Sequence, residues 1–155
     1  MNILFVCLGN ICRSPMAESM FTKMVNDAGL TDQIKIDSAG TSSEEQGNPA
    51  HPGTRQILSK YGLPFDNLIS RPLTLADFKH ADYIICMDDM NLADVKHRAP
   101  AAAQHKIYAI FDMIPTKKGQ AIPDPWYTHR FQETYDSLAQ ALPAWLTYLK
   151  QQLGD

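Results

Sequence analysis

Cys7-Leu8-Gly9-Asn10-Ile11-Cys12-Arg13-Ser14 sets a thiol, five intervening residues, a guanidinium and a hydroxyl in one short run. Each type has a job to do on a bound phosphoryl group. Gly9 and Asn10 tolerate the left-handed backbone that a tightly curled loop needs. Such a loop turns successive N–H groups inward and forms an anion nest. A helix expected to start at Ser14-Pro15 adds the positive end of its dipole. Arg13 can grip two phosphoryl oxygens with a planar fork that lysine lacks. An ordinary cysteine is mostly protonated at neutral pH, whereas one in cationic surroundings at a helix start ionises and becomes a nucleophile. Ser14 is expected to hydrogen-bond the sulfur of Cys7, favouring its ionised form and its later departure.

Taken singly, Cys7 reads as a buried strand-end cysteine and Arg13 as a solvated side chain. With Gly9, Asn10, Ser14 and Pro15 at this spacing, a phosphate loop accounts for more. Zinc is a poor alternative, because Cys7 and Cys12 lack a nearby second pair of ligands. No metal and no cofactor are expected.

A phosphoryl-transfer nucleophile also needs a proton donor for the leaving oxygen. Asp37, Asp88 and Asp112 each follow a predicted strand, and Asp124 sits in Ile122-Pro123-Asp124-Pro125-Trp126-Tyr127. Prolines on both sides stiffen Asp124, and Trp126 and Tyr127 could wall a flat substrate ring. The same stretch also reads as a turn with packed aromatics. On local grounds the choice of acid stays open.

These groups need a frame. Ile3 to Val6 is a short apolar run of the kind a strand buried on both faces shows. Ala17, Met20, Phe21, Met24, Val25 and Ala28 follow at helical spacing, with Gly29 as a stop. Further on, strands are expected at Ile34 to Asp37, Tyr83 to Met87 and Lys106 to Phe111. Helices are expected around Thr54 to Tyr61, Leu73 to His80 and Asn91 to His97, with a last one from Phe131 kinked near Pro143. Residues 112 to 129 read as a long loop, a common place for function. Alternating strands and helices imply a parallel sheet covered on both faces, with ligands at the carboxyl ends of its strands.

The 155 residues suit one domain, 1–155, and 45% hydrophobic with 20% charged residues is ordinary for a globular protein. A net charge of −3 with scattered basic residues gives no reason to expect nucleic-acid or membrane partners, so any anion site must be local. Three cysteines, no basic apolar leader and no long apolar run point to the cytoplasm.

Val6 to Pro15 and the later Asp124-Pro125-Trp126-Tyr127 resemble the low-molecular-weight protein tyrosine phosphatases, and the likeness covers essentially the whole chain, including Asp37-Ser38 and Cys86-Met87-Asp88. The resemblance implies an α/β fold: a four-stranded parallel sheet with helices on both faces, the flavodoxin-like phosphatase I fold. It implies Cys7 as nucleophile, Arg13 as phosphate clamp, Asp124 as general acid and base, and main-chain N–H groups from Leu8 to Arg13 as the cradle. Ser14 joins that phosphate loop. Asn10, Ser14 and Ser38 would hold its shape, and Glu44, Trp126 and Tyr127 would line the cleft. Cys12 matches a family cysteine able to form a protective disulfide with the nucleophile on oxidation.

The implied partner is a tyrosine-phosphorylated protein, with autophosphorylating bacterial tyrosine kinases among the candidates. The chain departs from many animal members at Leu68, where they carry a histidine, and at Ser42-Ser43-Glu44-Glu45, where some place an aromatic. Related classes remove phosphate from arginine, with threonine at the position of Ile11, or reduce arsenate with extra mobile cysteines. A non-catalytic phosphate- or flavin-binding module on the same sheet is a further reading, though it would need neither Cys7 nor Asp124.

Overall fold

The computed structural model describes residues 1–154. Four parallel strands, β1 (Asn2–Cys7), β2 (Lys35–Gly40), β3 (Tyr83–Cys86) and β4 (Ile107–Ala109), form a sheet in the order β2-β1-β3-β4. Strand alternation divides the core in two. Ile3, Phe5, Cys7 and Ile85 point to the side of Phe21, Leu138, Leu142 and Trp145. Leu4, Val6, Ile84 and Cys86 point to the side of Phe78, Val95 and Ala103. Helices α1 (Arg13–Asp27), α2 (Pro52–Lys60) and α6 (Phe131–Gln152) supply the first layer. The second comes from α3 (Leu75–His80) and α4 (Asp89–Arg98). A one-turn helix, α5 (Pro125–Thr128), leads into α6.

The chain winds from β1 to β2 on one side and then to β3 on the other. The loops after β1 and β3 therefore part at the point where an open α/β sheet receives its ligand. Cys7 ends β1 and Asp88 follows β3.

Several expectations shift. Strand β2 runs on through Ser38-Ala39-Gly40, small residues that carry no strand signal but pair with Phe5, Val6 and Cys7. Strand β4 is shorter than expected, since the Asp112 carboxylate accepts the Ala109 N–H at 2.8 Å and turns the chain. Helix α6 spans Phe131–Gln152 with Pro143 inside it, and the Trp145 indole N–H donates to the Ile110 carbonyl at 2.9 Å. The long loop holds a 3-10 turn at Pro115–Lys117 as well as α5. Helix α1 begins two residues early, at Arg13 with Cys12 in the capping position, so Ser14 is not its cap.

Gly40 is where the sheet meets the Cys7 loop. A Cβ there would sit 2.8 Å from the Leu8 carbonyl oxygen and 3.2 Å from Asn10 N and Cβ. Gly40→Ala should therefore push the loop out of shape, lowering stability by about 1–3 kcal/mol and weakening inorganic phosphate binding. Urea unfolding and calorimetric titration measure the two effects.

Candidate active site

The loop is built from its carbonyls outward. Thr41 N–H donates to the Cys7 carbonyl, Ser42 N–H to Leu8 and His51 N–H to Ile11, at 2.9, 2.9 and 2.8 Å. The Ser70 hydroxyl donates to the Gly9 carbonyl at 2.8 Å, and Thr54 Oγ1 to that of Cys12 at 3.3 Å. With the acceptors tied outward, the N–H groups of Leu8 to Cys12 keep no protein acceptor among the described residues. No side chain caps α1, whereas Asp88 caps α4 by accepting the Asn91 N–H at 2.8 Å. The start of α1 is thus left for a ligand.

Within residues 7–14 only Asn10 takes the left-handed conformation, at φ 56°; Gly9 does not, contrary to expectation. A Cβ at Gly9 would make only ordinary contact, 3.5 Å from Glu45 Cγ and 3.8 Å from Ile11 Cγ1, so nothing around it in the folded chain demands a glycine. The strained turn at Asn10 is held from three sides. Its Nδ2 donates to the Ser14 hydroxyl at 2.8 Å and to that of Ser38 at 2.9 Å. Its Oδ1 accepts the Arg71 N–H at 3.0 Å. The Ser14 Oγ is 3.0 Å from Cys7 Sγ, and since it already accepts from Asn10 its own proton is free for the sulfur. This duty explains why Ser14 does not cap the helix.

Arg13 is 1% exposed. Its Nη1 donates to Asp88 Oδ2 at 2.6 Å and to the Ile122 carbonyl at 2.8 Å, while Nη2 lies 3.4 Å from Asp124 Oδ2. Nε is buried and unpartnered, which leaves part of the fork unspent. Burial pushes the guanidinium's pKa down, but Cys7, Asp88 and Asp124 more than offset that and hold it above its usual value. Asp124 also accepts the Trp126 N–H at 3.1 Å and so caps α5, whose first residue is Pro125.

A cleft of about 280 Å³ opens over these groups, lined by Cys7, Leu8, Gly9, Ile11, Cys12 and Asp124, with Ser42, Glu44, Glu45, Trp126 and Tyr127 higher on its walls. Of the four candidate acids only Asp124 lines it. Asp88 is occupied with Arg13 and the start of α4. Asp37 pairs with Arg71 at 2.8 Å along β2, and Asp112 caps the end of β4. Cys12 is buried in the cleft floor, and burial, then Cys7 and Asp124, push its thiol up to about 12. Leu68 is packed in the core.

Sequence reasoning passed over Glu18. It lies one helical turn beyond Ser14, hence on the same face of α1, and that spacing was the available signal. The Ser38 hydroxyl donates to Glu18 Oε1 at 2.6 Å, so a continuous chain of side chains runs from Glu18 through Ser38, Asn10 and Ser14 to Cys7. His51 was also missed. It lies 5.6 Å from Trp126 and stacks on Phe131 at 4.8 Å, and burial lowers its pKa, so it presents a neutral ring.

A doubly wound parallel sheet with an unsatisfied N–H loop, a thiol and a buried guanidinium at its switch point defines an anion-binding α/β protein of the flavodoxin-like kind. The family model described as low molecular weight phosphotyrosine protein phosphatase matches residues 2–154. The low molecular weight protein-tyrosine-phosphatase YfkJ of Bacillus subtilis is 41% identical over 132 residues, 85% of this chain and 85% of that protein. A crystal structure of a protein tyrosine phosphatase from Entamoeba histolytica, with Hepes in its active site, superposes with a TM-score of 0.91 at 38% identity, covering 98% of each chain. The structure of the Drosophila arginine phosphatase DARP superposes with a TM-score of 0.89 at 31% identity, over 97% of this chain and 98% of that one. The chain belongs to the low-molecular-weight phosphotyrosine protein phosphatase family and is a protein-tyrosine-phosphatase. No helix among the described residues is long and apolar enough to cross a membrane, and no group of side chains there could hold a metal ion.

Burial raises the Glu18 carboxyl from 4.5 to about 7, outweighing the Ser38 hydrogen bond; Asp37 adds to the rise and Arg71 opposes it. The folded protein therefore holds this proton more tightly than the unfolded chain does. Its contribution to stability is full below pH 4.5, falls as pH climbs toward about 7, and is level above that. Glu18→Gln should flatten that slope, so urea midpoints at pH 5 and pH 8 should differ less in the variant than in the wild type.

Proposed function

We infer that the protein hydrolyses phosphotyrosine in proteins, and small aryl phosphates, through a phosphocysteine on Cys7. The observation that carries this is the set of donors beside one sulfur: five main-chain N–H groups and the buried Nε of Arg13, all without protein acceptors among the described residues. A phosphoryl group presents three oxygens to such a set. The donors are fixed before it arrives, so they stabilise charge in the transition state without reorganising. The Entamoeba relative holds Hepes, a sulfonate, in its active site, and an anion cradle accounts for that.

In the first step the sulfur of Cys7 attacks phosphorus in line and the P–O bond to the phenol breaks. Asp124, on the cleft wall, gives its proton to the leaving oxygen. In the second step Asp124 takes a proton from water, the water oxygen bonds to phosphorus, and the S–P bond breaks. Phosphate departs and the sulfur keeps the electron pair as a thiolate, to which the Ser14 hydroxyl donates a hydrogen bond. Arg13 and the loop bind the equatorial oxygens, so the mechanism calls on no metal or cofactor. Asn10, Ser14 and Ser38 hold the loop's shape, and Trp126 and Tyr127 flank the substrate ring.

The substrates are tyrosine-phosphorylated proteins, autophosphorylating bacterial tyrosine kinases among the candidates. Cys7, Cys12 and Cys86 are all free and buried, as a thiol enzyme of the reducing cytoplasm needs. Under oxidation Cys12 is the candidate partner for a disulfide with Cys7. The likeness to DARP keeps phosphoarginine as the second reading. Ile11 in the cleft lining favours the tyrosine ester, because threonine stands there in the arginine class. Cys86 is sealed within β3 and its thiol pushed well up by burial, which disfavours an arsenate-reducing relay.

Cys7→Ser should cut turnover by roughly 10,000-fold or more while the loop still binds vanadate; unchanged turnover of para-nitrophenyl phosphate would refute the assignment. Asp124→Ala should slow phenyl phosphate by about 100-fold and para-nitrophenyl phosphate much less, because the better leaving group needs less protonation. Should Asp88→Asn show that leaving-group dependence instead, Asp88 is the acid. Faster hydrolysis of phosphoarginine than of phosphotyrosine peptides would select the second reading.

A further inference from the structure

The floor and the mouth of the cleft carry opposite charge. Arg13, the cation of the floor, is 1% exposed. The lining includes Glu44, Glu45 and Asp124 but no lysine or arginine. His51, beside Trp126, has its pKa lowered by burial and adds no charge. Arg98, behind the same segment, is committed to the carbonyls of Thr41 and Leu73 and to Asp94. A substrate's phosphate is met by the buried donors, but the residues on either side of its tyrosine meet carboxylates.

The two glutamates differ in their freedom. Glu45 is half-buried and its carboxylate accepts the Asn48 side-chain N–H at 2.7 Å, which spends it on the shape of the loop. Glu44 is exposed, and among the described residues its carboxylate enters no ion pair. Only its main-chain N–H is engaged, donating to the Ser42 hydroxyl at 3.1 Å. The mouth is otherwise apolar, with Leu8, Trp126 and Tyr127 exposed around it.

We propose that Glu44 is a specificity-determining residue that selects phosphotyrosine flanked by lysine or arginine and rejects phosphotyrosine in acidic sequence. This rests on the phosphatase reading above and names its substrate class. At about 6 Å in water one charge pair changes affinity about threefold, and exchanging a flanking glutamate for lysine reverses the sign, so the two sequences should differ about tenfold. Discrimination of this kind acts on peptides and not on small esters, which carry no charged flanking residue.

The test compares two phosphotyrosine peptides of equal length, one with lysine and one with glutamate on both sides of the modified residue. At low salt the wild type should favour the basic peptide about tenfold in kcat/KM, and about 1 M sodium chloride, which shortens the screening length to ~3 Å, should erase most of the preference. Glu44→Gln should reduce the ratio to about threefold or less, and Glu45→Gln should move it less. Equal use of both peptides by an enzyme that turns over para-nitrophenyl phosphate normally would overturn the proposal alone. So would a ratio unmoved by Glu44→Gln, or moved more by Glu45→Gln. No turnover of para-nitrophenyl phosphate by the wild type would overturn the phosphatase reading itself, and this inference with it.

Discussion

A guanidinium taken out of water must be surrounded by partners, and Arg13 imposes that condition on the whole molecule. Removing a charge from water costs several kcal/mol even after relaxation, so its neighbours have to be in place in the folded state. They come from two regions of the chain: Asp88 just after β3, and the long loop, which supplies the Ile122 carbonyl and, two residues on, Asp124. The sheet order brings these together. With β3 beside β1, Asp88 faces the loop that follows Cys7. Asp88, the Ile122 carbonyl and Asp124 already take up part of the arginine's fork. An incoming phosphate therefore depends on the loop N–H groups as much as on the arginine.

Those N–H groups are available because of the segment between β2 and α3. Residues 41 to 70 form little regular structure beyond α2, yet they satisfy the carbonyls of Cys7, Leu8, Gly9, Ile11 and Cys12. A curled loop of this kind would otherwise bury unpaired acceptors or turn its donors away. Asn10 supplies the complementary internal brace, and Ser38 and Ser14 carry it to Glu18 on one side and to Cys7 on the other. The cradle is thus a property of packing around the loop, and the loop sequence by itself does not account for it.

Residues with strong type preferences were the legible ones. The apolar run of β1 and the helical stripe of α1 marked the frame, the spacing of Cys7 and Arg13 pointed to the loop between them, and Pro123 to Tyr127 put Asp124 among four candidate acids. What stayed hidden depends on long-range contact. Ser38-Ala39-Gly40 looks like loop, but small residues are needed where β2 passes the Cys7 loop. Ser14 looks like a helix cap until Asn10 and Cys7 claim its hydroxyl. Asp88 read as a rival acid, and only the Arg13 contact gives it a different duty. Glu18 is half-buried on α1 among buried residues, and its role depends on Ser38, twenty positions away on β2.

Three of the five tethers on the loop, from Thr41, Ser42 and His51, are main-chain N–H groups. A main-chain donor survives every substitution except proline. The stretch that shapes the cradle is therefore free to drift in side chain while its scaffolding duty is kept. Ser42 belongs to both roles at once, its amide holding Leu8 while its side chain faces the cleft. Such a division lets relatives diverge in the partners they recognise without touching the machinery they share.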